Sequence, residues 1–319
     1  MAWSYLCSQM RTDLAQTPEK TLANLDNVRR RLLKTGNARM FFIGSRASES
    51  KLSTSYRRLL AGFENAPATK ATYSNIKRVD ERLKERKEAT EKPVYVGLMA
   101  PNMAGGVFIN EAPFVTYEDT DREKLLDFLA AKLYAGGGAH AVFSKTIGAG
   151  LAYSNGIGSN PGSGTISYYA ERTPELPQTL RFVIEEIKRP YKSDTLTEYV
   201  TAGSFSSRTA SPYEQRGEAI ASDLADKLTP DTVSRFRRAI LDLRKMPNLA
   251  EELYKRKDKV YELILPGYGI KGKDVKGANY FVIGSEKQMS AYEAYLKSVE
   301  GAETKLFRLY PRDFWTTLK

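Results

Sequence analysis

Residues able to do nucleophilic or metal chemistry are scarce in this chain: one cysteine, Cys7, and one histidine, His140, stand among 319 residues. Zinc at its usual tetrahedral sites draws ligands from several Cys, His or carboxylate side chains, and neither an H-x-x-E-H motif nor a cysteine cluster can be written here. The sequence predicts no metal site of its own. A Ser-His-Asp arrangement would have to use His140. That residue sits in AGGGAHAVF with no nucleophile elbow in the chain, and reads as a helix-start or packing histidine. Neighbouring carboxylates such as Glu118, Asp119 and Asp121, or Glu185 and Glu186, could do acid and base work. All flank helical patterns, where capping and solvation explain acidic residues. The glycines at 156, 158 and 162 invite comparison with a phosphate loop, but the spacing is G-x-G-x-x-x-G and strand patterns surround it. A dinucleotide fingerprint joins a strand to a helix N-terminus, whose N–H groups hold the phosphate. Nucleotide binding is not expected.

The elements that would position any site follow from periodicity. Leu22, Leu25, Val28, Leu32 and Leu33 fall at helical spacing within 18–34, with Gly36 where the helix would end. Arg39 to Gly44 (RMFFIG) is a short apolar run stopped by glycine, which predicts a buried strand, and Leu52, Tyr56, Leu59 and Leu60 predict the next helix. Val94 to Met99 and Gly106 to Phe114 read as strands around a tight segment at 100–105. Leu125, Leu126, Leu129 and Leu133 line a helix ending near Gly136. Segments 150–158 and 164–171 alternate as paired strands joined by the turn Ser159 to Ser163, and Leu180, Val183, Ile184 and Ile187 mark the helix after them. Helices over 213–228, 230–245 and 248–263 are parted by Pro230 and Pro247, which open helices more readily than they continue them. ANYFVIGS (278–285) echoes ARMFFIGS (38–45), reading as two core strands that each lead through Gly-Ser into a helix; a last strand spans 306–310. The order strand, strand, helix, twice over, predicts an α+β fold with antiparallel pairs.

Composition sets the broad class. Hydrophobic residues at 41% and charged residues at 27% support a buried core and argue against wholesale disorder. No run of about 18 apolar residues exists, so no membrane span is expected, and MAWSYLCSQMRTDLAQ is charged too soon for a secretory signal. The expectation is a soluble protein of the cytoplasm or an organelle matrix. The net charge is +11 (49 Lys plus Arg less 38 Asp plus Glu). Between Lys77 and Lys92 the signs are interleaved, as on a solvated face. Arg29, Arg30 and Arg31 with Lys34 and Arg39 form a more one-sided cluster, but no aromatic stacking platform accompanies it. A nucleic-acid partner is not expected.

The most informative block runs from Tyr134 to Pro190. Its small-residue turn, helix, GLAYS, second strand, TPE and helix ending EEIK resemble the second-domain core of the M16 (pitrilysin or insulinase-like) zinc metallopeptidases. RMFFIGS resembles the entry strand of such a domain and VYVGLMAP the strand before its long helix. ANYFVIGS with LYPRDFW resembles the carboxy-terminal part of the presequence-protease branch. The resemblance covers about residues 37–319, an M16 carboxy-terminal-type α+β domain of mainly antiparallel sheet packed with helices, and makes 1–36 a helical lead segment, the tail of a preceding domain. It implies a clamshell that encloses an unstructured peptide. An amino-terminal half, in cis or in trans, would carry the zinc, and this half would contribute an Arg and a Tyr that hold the peptide carbonyl.

Tyr153 falls on the family tyrosine, in the role of oxyanion or carbonyl contact. By pattern alone it is a strand-face aromatic. The family arginine is expected shortly upstream, yet SKTIGAGLAY places Thr146 at that spacing and Lys145 as the nearest cation. Lys is a point charge without the planar fork of Arg. The resemblance further implies substrate contacts from Gly150, Leu151 and Ser154, and places His140 near the chamber wall facing substrate. Some relatives of this fold have lost their catalytic residues and serve as scaffold or partner subunits, and the departure at Thr146 keeps that alternative open.

Overall fold

A computed structural model describes residues 2–38, 40–67, 78–85, 94–134, 142–189, 194–204, 212–225, 228–269, 275 and 277–315. The chain divides into two compact units, Met1–Lys77 with Ala210–Ser222, and Arg78–Thr209 with Asp223–Lys319. The boundary expected at residue 36 falls inside the first unit.

The first unit is built on helices α1 (Ala2–Leu14), α2 (Pro18–Leu32) and α3 (Arg46–Leu60). Local chemistry starts two of them: Thr17 Oγ1 accepts from Lys20 N at 3.3 Å ahead of Pro18, and Ser45 Oγ accepts from Ser48 N at 3.1 Å. These are N-caps that satisfy otherwise orphaned amides. The helix over 18–34 ends at Leu32, and Gly36 lies in a short 3₁₀ turn (Thr35–Asn37). A Cβ there would stand 2.2 Å from Pro67 O, so only glycine fits. The strand expected at 39–44 does not form: residues 40–44 are irregular, with Met40 and Phe41 each 48% exposed. Among the described residues no strand pairs with them, and an unpaired apolar run gains nothing from extending.

The second unit is a mixed six-stranded sheet with helices, an α+β fold as the sequence predicts. In chain order it contains α4 (Arg78–Glu85), β1 (Val94–Met99), β2 (Gly106–Pro113), α5 (Arg122–Ala130), α6 (Val142–Gly148), β3 (Ser154–Asn160), β4 (Thr165–Thr173), α7 (Leu176–Lys188) and α8 (Asp194–Gly203). There follow α9 (Tyr213–Ala225), whose residues to Ser222 belong with the first unit, then α10 (Pro230–Leu243), α11 (Leu249–Tyr261), β5 (Asn279–Gly284), α12 (Glu286–Val299), β6 (Leu306–Leu309) and α13 (Arg312–Trp315). The sheet order is β3-β4-β2-β5-β1-β6. The pairs β3·β4, β4·β2 and β2·β5 are antiparallel, while β1 runs parallel to both β5 and β6. Thus β1 and β2 are not partners: β5, more than 160 residues on, inserts between them. VYVGLM is apolar without alternation, and such a run suits a parallel strand covered on both faces.

One face of the sheet carries the main core. Phe108, Ala112, Ile166, Tyr168, Ala170 and Val282 point into it and meet buried side chains of α5, α7, α11 and α12. On the other face Leu83 of α4 packs with Val96, Phe307 and Leu309. Beyond that patch, toward β2, β4 and β3, the outer face is open: Ile109 and Tyr169 are 46% and 40% exposed.

Candidate functional site

The site forms where α6 turns into β3. After Gly148 the chain reverses through Gly150, at φ +71°, in the left-handed region that glycine enters without Cβ strain. Leu151 N donates to Thr146 O at 3.1 Å, and Thr179 Oγ1 of α7 donates to Leu151 O at 3.0 Å, pinning the corner to the core. Strand β3 begins at Ser154, so Gly150 to Tyr153 form the turn leading into it rather than the strand predicted over 150–158. Tyr153 N donates to Glu171 O at 3.0 Å, and its side chain is 66% exposed.

Over the Tyr153 ring lies a residue the sequence reading missed. The Arg172 guanidinium stands 4.6 Å from the ring centroid. It gets there by a bulge: from Gly106 to Phe108 β2 advances two residues, while its partner β4 goes from Thr173 to Ala170, three residues. The extra residue on β4 re-aims a side chain, as bulges do. Arg172 takes φ +51°, alone among the described non-glycine residues. Its backbone is clamped from two sides. Gly105 approaches so closely that a Cβ would stand 2.8 Å from Arg172 Cα. Gln288, buried at the start of α12, directs Nε2 to Ala104 O (3.2 Å), Thr173 O (3.3 Å) and Pro174 O (3.4 Å). The only sequence signals are a charged ERT ending an alternating strand and the paired glycines Gly105 and Gly106.

The other expected site residues are placed differently. Lys145 Nζ lies 2.7 Å from Oε2 of Glu186, whose buried carboxylate also pairs with Arg189. Thr146 is fully buried, and its hydroxyl donates to Val142 O at 2.9 Å within α6. Leu151 is a core residue at 9% exposure. The side chains of Thr146 and Leu151 pack the corner. Ser154 lies on the outer face, its Oγ 3.5 Å from Tyr169 Oη, long for a hydrogen bond. Gly156 makes room for the Tyr169 ring, since a Cβ there would be 3.0 Å from it. Tyr153 thus meets Arg172 just ahead of β3, and Ser154 meets Tyr169 at its start; among the described residues β3 is an edge strand that pairs only with β4. His140 lies outside the described residues.

The donor set does not suit zinc. Among the described residues no group of three or more His, Cys, Asp or Glu side chains converges, and Cys7 lies on α1 of the first unit. No described helix is long and apolar enough to cross a membrane. What the arrangement offers is an exposed phenol, a guanidinium on its ring, and an unpaired row of backbone amides and carbonyls.

No protein-family model and no curated protein matches the sequence. Among solved structures the chain is similar to a protease from Helicobacter pylori, at 10% identity and a TM-score of 0.46, over 74% of this chain and 52% of that one. It is similar to the periplasmic protease PqqL from Escherichia coli, at 10% identity and a TM-score of 0.42, over 84% of this chain and 29% of that one. A Yersinia pestis protein described as an insulinase family protease matches at 11% identity and a TM-score of 0.41, over 78% of this chain and 53% of that one. The chain spans about half the length of the Helicobacter protein and under a third of PqqL. Similarity at this level assigns no activity.

Proposed function

We propose that this chain is the substrate-contacting, carboxy-terminal portion of an M16-type zinc metallopeptidase of the presequence-protease branch, acting with a metal-bearing half outside it. The sequence resemblance over 37–319 motivates the reading. The observation that carries it is the exposed Tyr153 with the Arg172 guanidinium on its ring at the mouth of an open edge strand. An extended peptide can add to β3 through backbone hydrogen bonds, with Tyr169 of the neighbouring strand β4 offering apolar surface on the outer face. The Tyr153 phenol then donates to a peptide carbonyl as negative charge develops on its oxygen, and Arg172 adds a fixed positive charge close by. Arg172, from the strand after the tyrosine, supplies the cation that the resemblance expects upstream of it.

A second reading keeps the same fold as a noncatalytic scaffold or partner subunit. It is favoured by the fate of the two upstream positions: Lys145 is tied to Glu186 and Thr146 is buried.

The test is hydrolysis of a quenched, unstructured peptide by the chain alone and mixed with a metal-bearing amino-terminal half. Activity in the mixture only is the expected result, with Tyr153→Phe and Arg172→Met each lowering kcat about 100-fold. Hydrolysis by the chain alone overturns the reading, and an active mixture indifferent to Tyr153→Phe selects the scaffold.

A further inference from the structure

A cavity of about 210 Å³ opens in the second unit between α5, α10, the end of α8 and the turn joining β3 to β4. Its wall is aromatic: the Phe236 ring meets Tyr117 and Phe128 edge-on, with centroids 5.1 and 5.3 Å apart. Ser204 and Arg237 also line the cavity, and two further polar groups there have no hydrogen-bonding or ionic partner among the described residues. Half-buried Lys132 holds its ammonium 4.9 Å from the Phe128 centroid, and no described carboxylate pairs with it. Ser159 Oγ, on the inward face of β3, is buried and has no hydrogen-bond partner. A charge taken from water without a counter-ion is costly, and so is an unsatisfied hydroxyl. The cost shows in Lys132 itself, whose pKa burial lowers.

We propose that this cavity binds a small monocarboxylate with an apolar body, its oxygens taking hydrogen bonds from Lys132 Nζ and Ser159 Oγ and its body lying among Tyr117, Phe128 and Phe236. One negative charge matches the one unpaired ammonium, and a carboxylate oxygen accepts from both ammonium and hydroxyl. The rings exclude water and strengthen both contacts. The apolar body that Tyr117, Phe128 and Phe236 can cover favours a carboxylic acid over an inorganic anion. The same chemistry is presented by a free carboxylic acid and by the carboxylate of a peptide ending in an apolar residue. The site stands apart from the peptidase reading, since Ser159 lies at the far end of β3 from Tyr153.

The probe is 3-phenylpropionate, titrated calorimetrically into the full chain at low salt and neutral pH, with 3-phenylpropionamide as the neutral isostere. Binding of the acid below about 10 mM, at least tenfold tighter than the amide, is expected. Lys132→Met should abolish binding while leaving the melting temperature unchanged or higher, because it removes a desolvated charge. Ser159→Ala should weaken binding several-fold. Two acetylated peptides ending in Phe, one acid and one amide, identify the source: both arms uphold the site, a binding peptide acid pointing to a chain end and a silent one to a free acid. Equal binding of acid and amide, no binding of either, or undiminished binding by Lys132→Met overturns the proposal. So does a lowered melting temperature in Lys132→Met, which would make the lysine a structural element.

Discussion

Arg172 carries a backbone conformation that an L-residue adopts at a cost, and it does so beside Tyr153, an aromatic exposed at 66%. Strain of this kind persists where the surroundings over-determine it and gathers at functional sites. Arg172→Gly removes the Cβ conflict and should raise unfolding stability in urea by about 1 kcal/mol, even as it deletes the cation over Tyr153. A loss of stability would mean that the guanidinium does more for the fold than for a ligand. The opposite sign belongs to Gly105→Ala, whose Cβ would lie 2.8 Å from Arg172 Cα and 2.9 Å from its carbonyl carbon. Backbone cannot swing aside as a side chain can, so denaturation should report a loss of about 1–3 kcal/mol. Gln288→Leu should cost a similar amount, about 1–3 kcal/mol, by leaving Ala104 O, Thr173 O and Pro174 O without their shared donor.

Between elements, the firmest polar joint is that of α11 with α5. Tyr261, fully buried, accepts from Tyr134 N at 3.2 Å and turns its hydroxyl to the carbonyls of Ala130 (3.4 Å) and Ala131 (3.3 Å). It thereby answers groups that a helix C-terminus leaves open. Tyr261→Phe keeps the packing and should lower the melting temperature through a loss of about 1–2 kcal/mol. The joint of α6 with α7 is weaker: Lys145 is half-exposed, and Glu186 keeps Arg189 when Lys145 is removed. Lys145→Ala should therefore change stability by less than about 1 kcal/mol.

For the whole molecule, the carboxylates that resist protonation set the acid limit. Burial pushes the pKa of Glu293 up, but the hydrogen bond to Arg308 at 2.6 Å, the charges of Arg308 and Lys297 and a backbone hydrogen bond from Leu306 together outweigh this and hold it below the usual glutamate value. Asp119 is likewise held down, burial being outweighed by Lys124 at 2.5 Å and by Thr116. With folded pKa values below unfolded ones, the unfolded chain binds more protons in the interval between them. The stability these groups contribute is present above the unfolded values near 4 and is lost as pH falls through the folded ones. Glu293→Gln should flatten the acid limb of a stability-pH curve; an unchanged limb would show that Arg308 confers no advantage on the charged form. The positive charge is also less one-sided than the sequence implies. Asp26 pairs with both Arg29 and Arg30 at 2.7 Å, so one of the three arginine charges on α2 is offset.

The sequence by itself determined what depends on neighbours along the chain. The amphipathic helices marked by Leu125 to Leu129 and Leu180 to Ile187, and a hairpin of two strands near Ser159 to Ser163, follow from local periodicity and turn chemistry; they form as α5, α7 and β3 with β4, the turn falling at 161–164. The single histidine and single cysteine bounded the chemistry in the same way. Only the tertiary structure decided matters of partnership. ARMFFIGS and ANYFVIGS share a pattern, yet among the described residues only the second forms a strand, because β1 and β2 lie on either side of it while no described strand pairs with the first. Lys145 looked like the cation of the site until α7 brought Glu186 to it. Arg172 entered the site through one extra residue in β4, a bulge that exists only in register against β2. Periodicity reports which face of an element is apolar; which other element covers that face, and which charge meets which ring, depends on distances that only the folded chain sets.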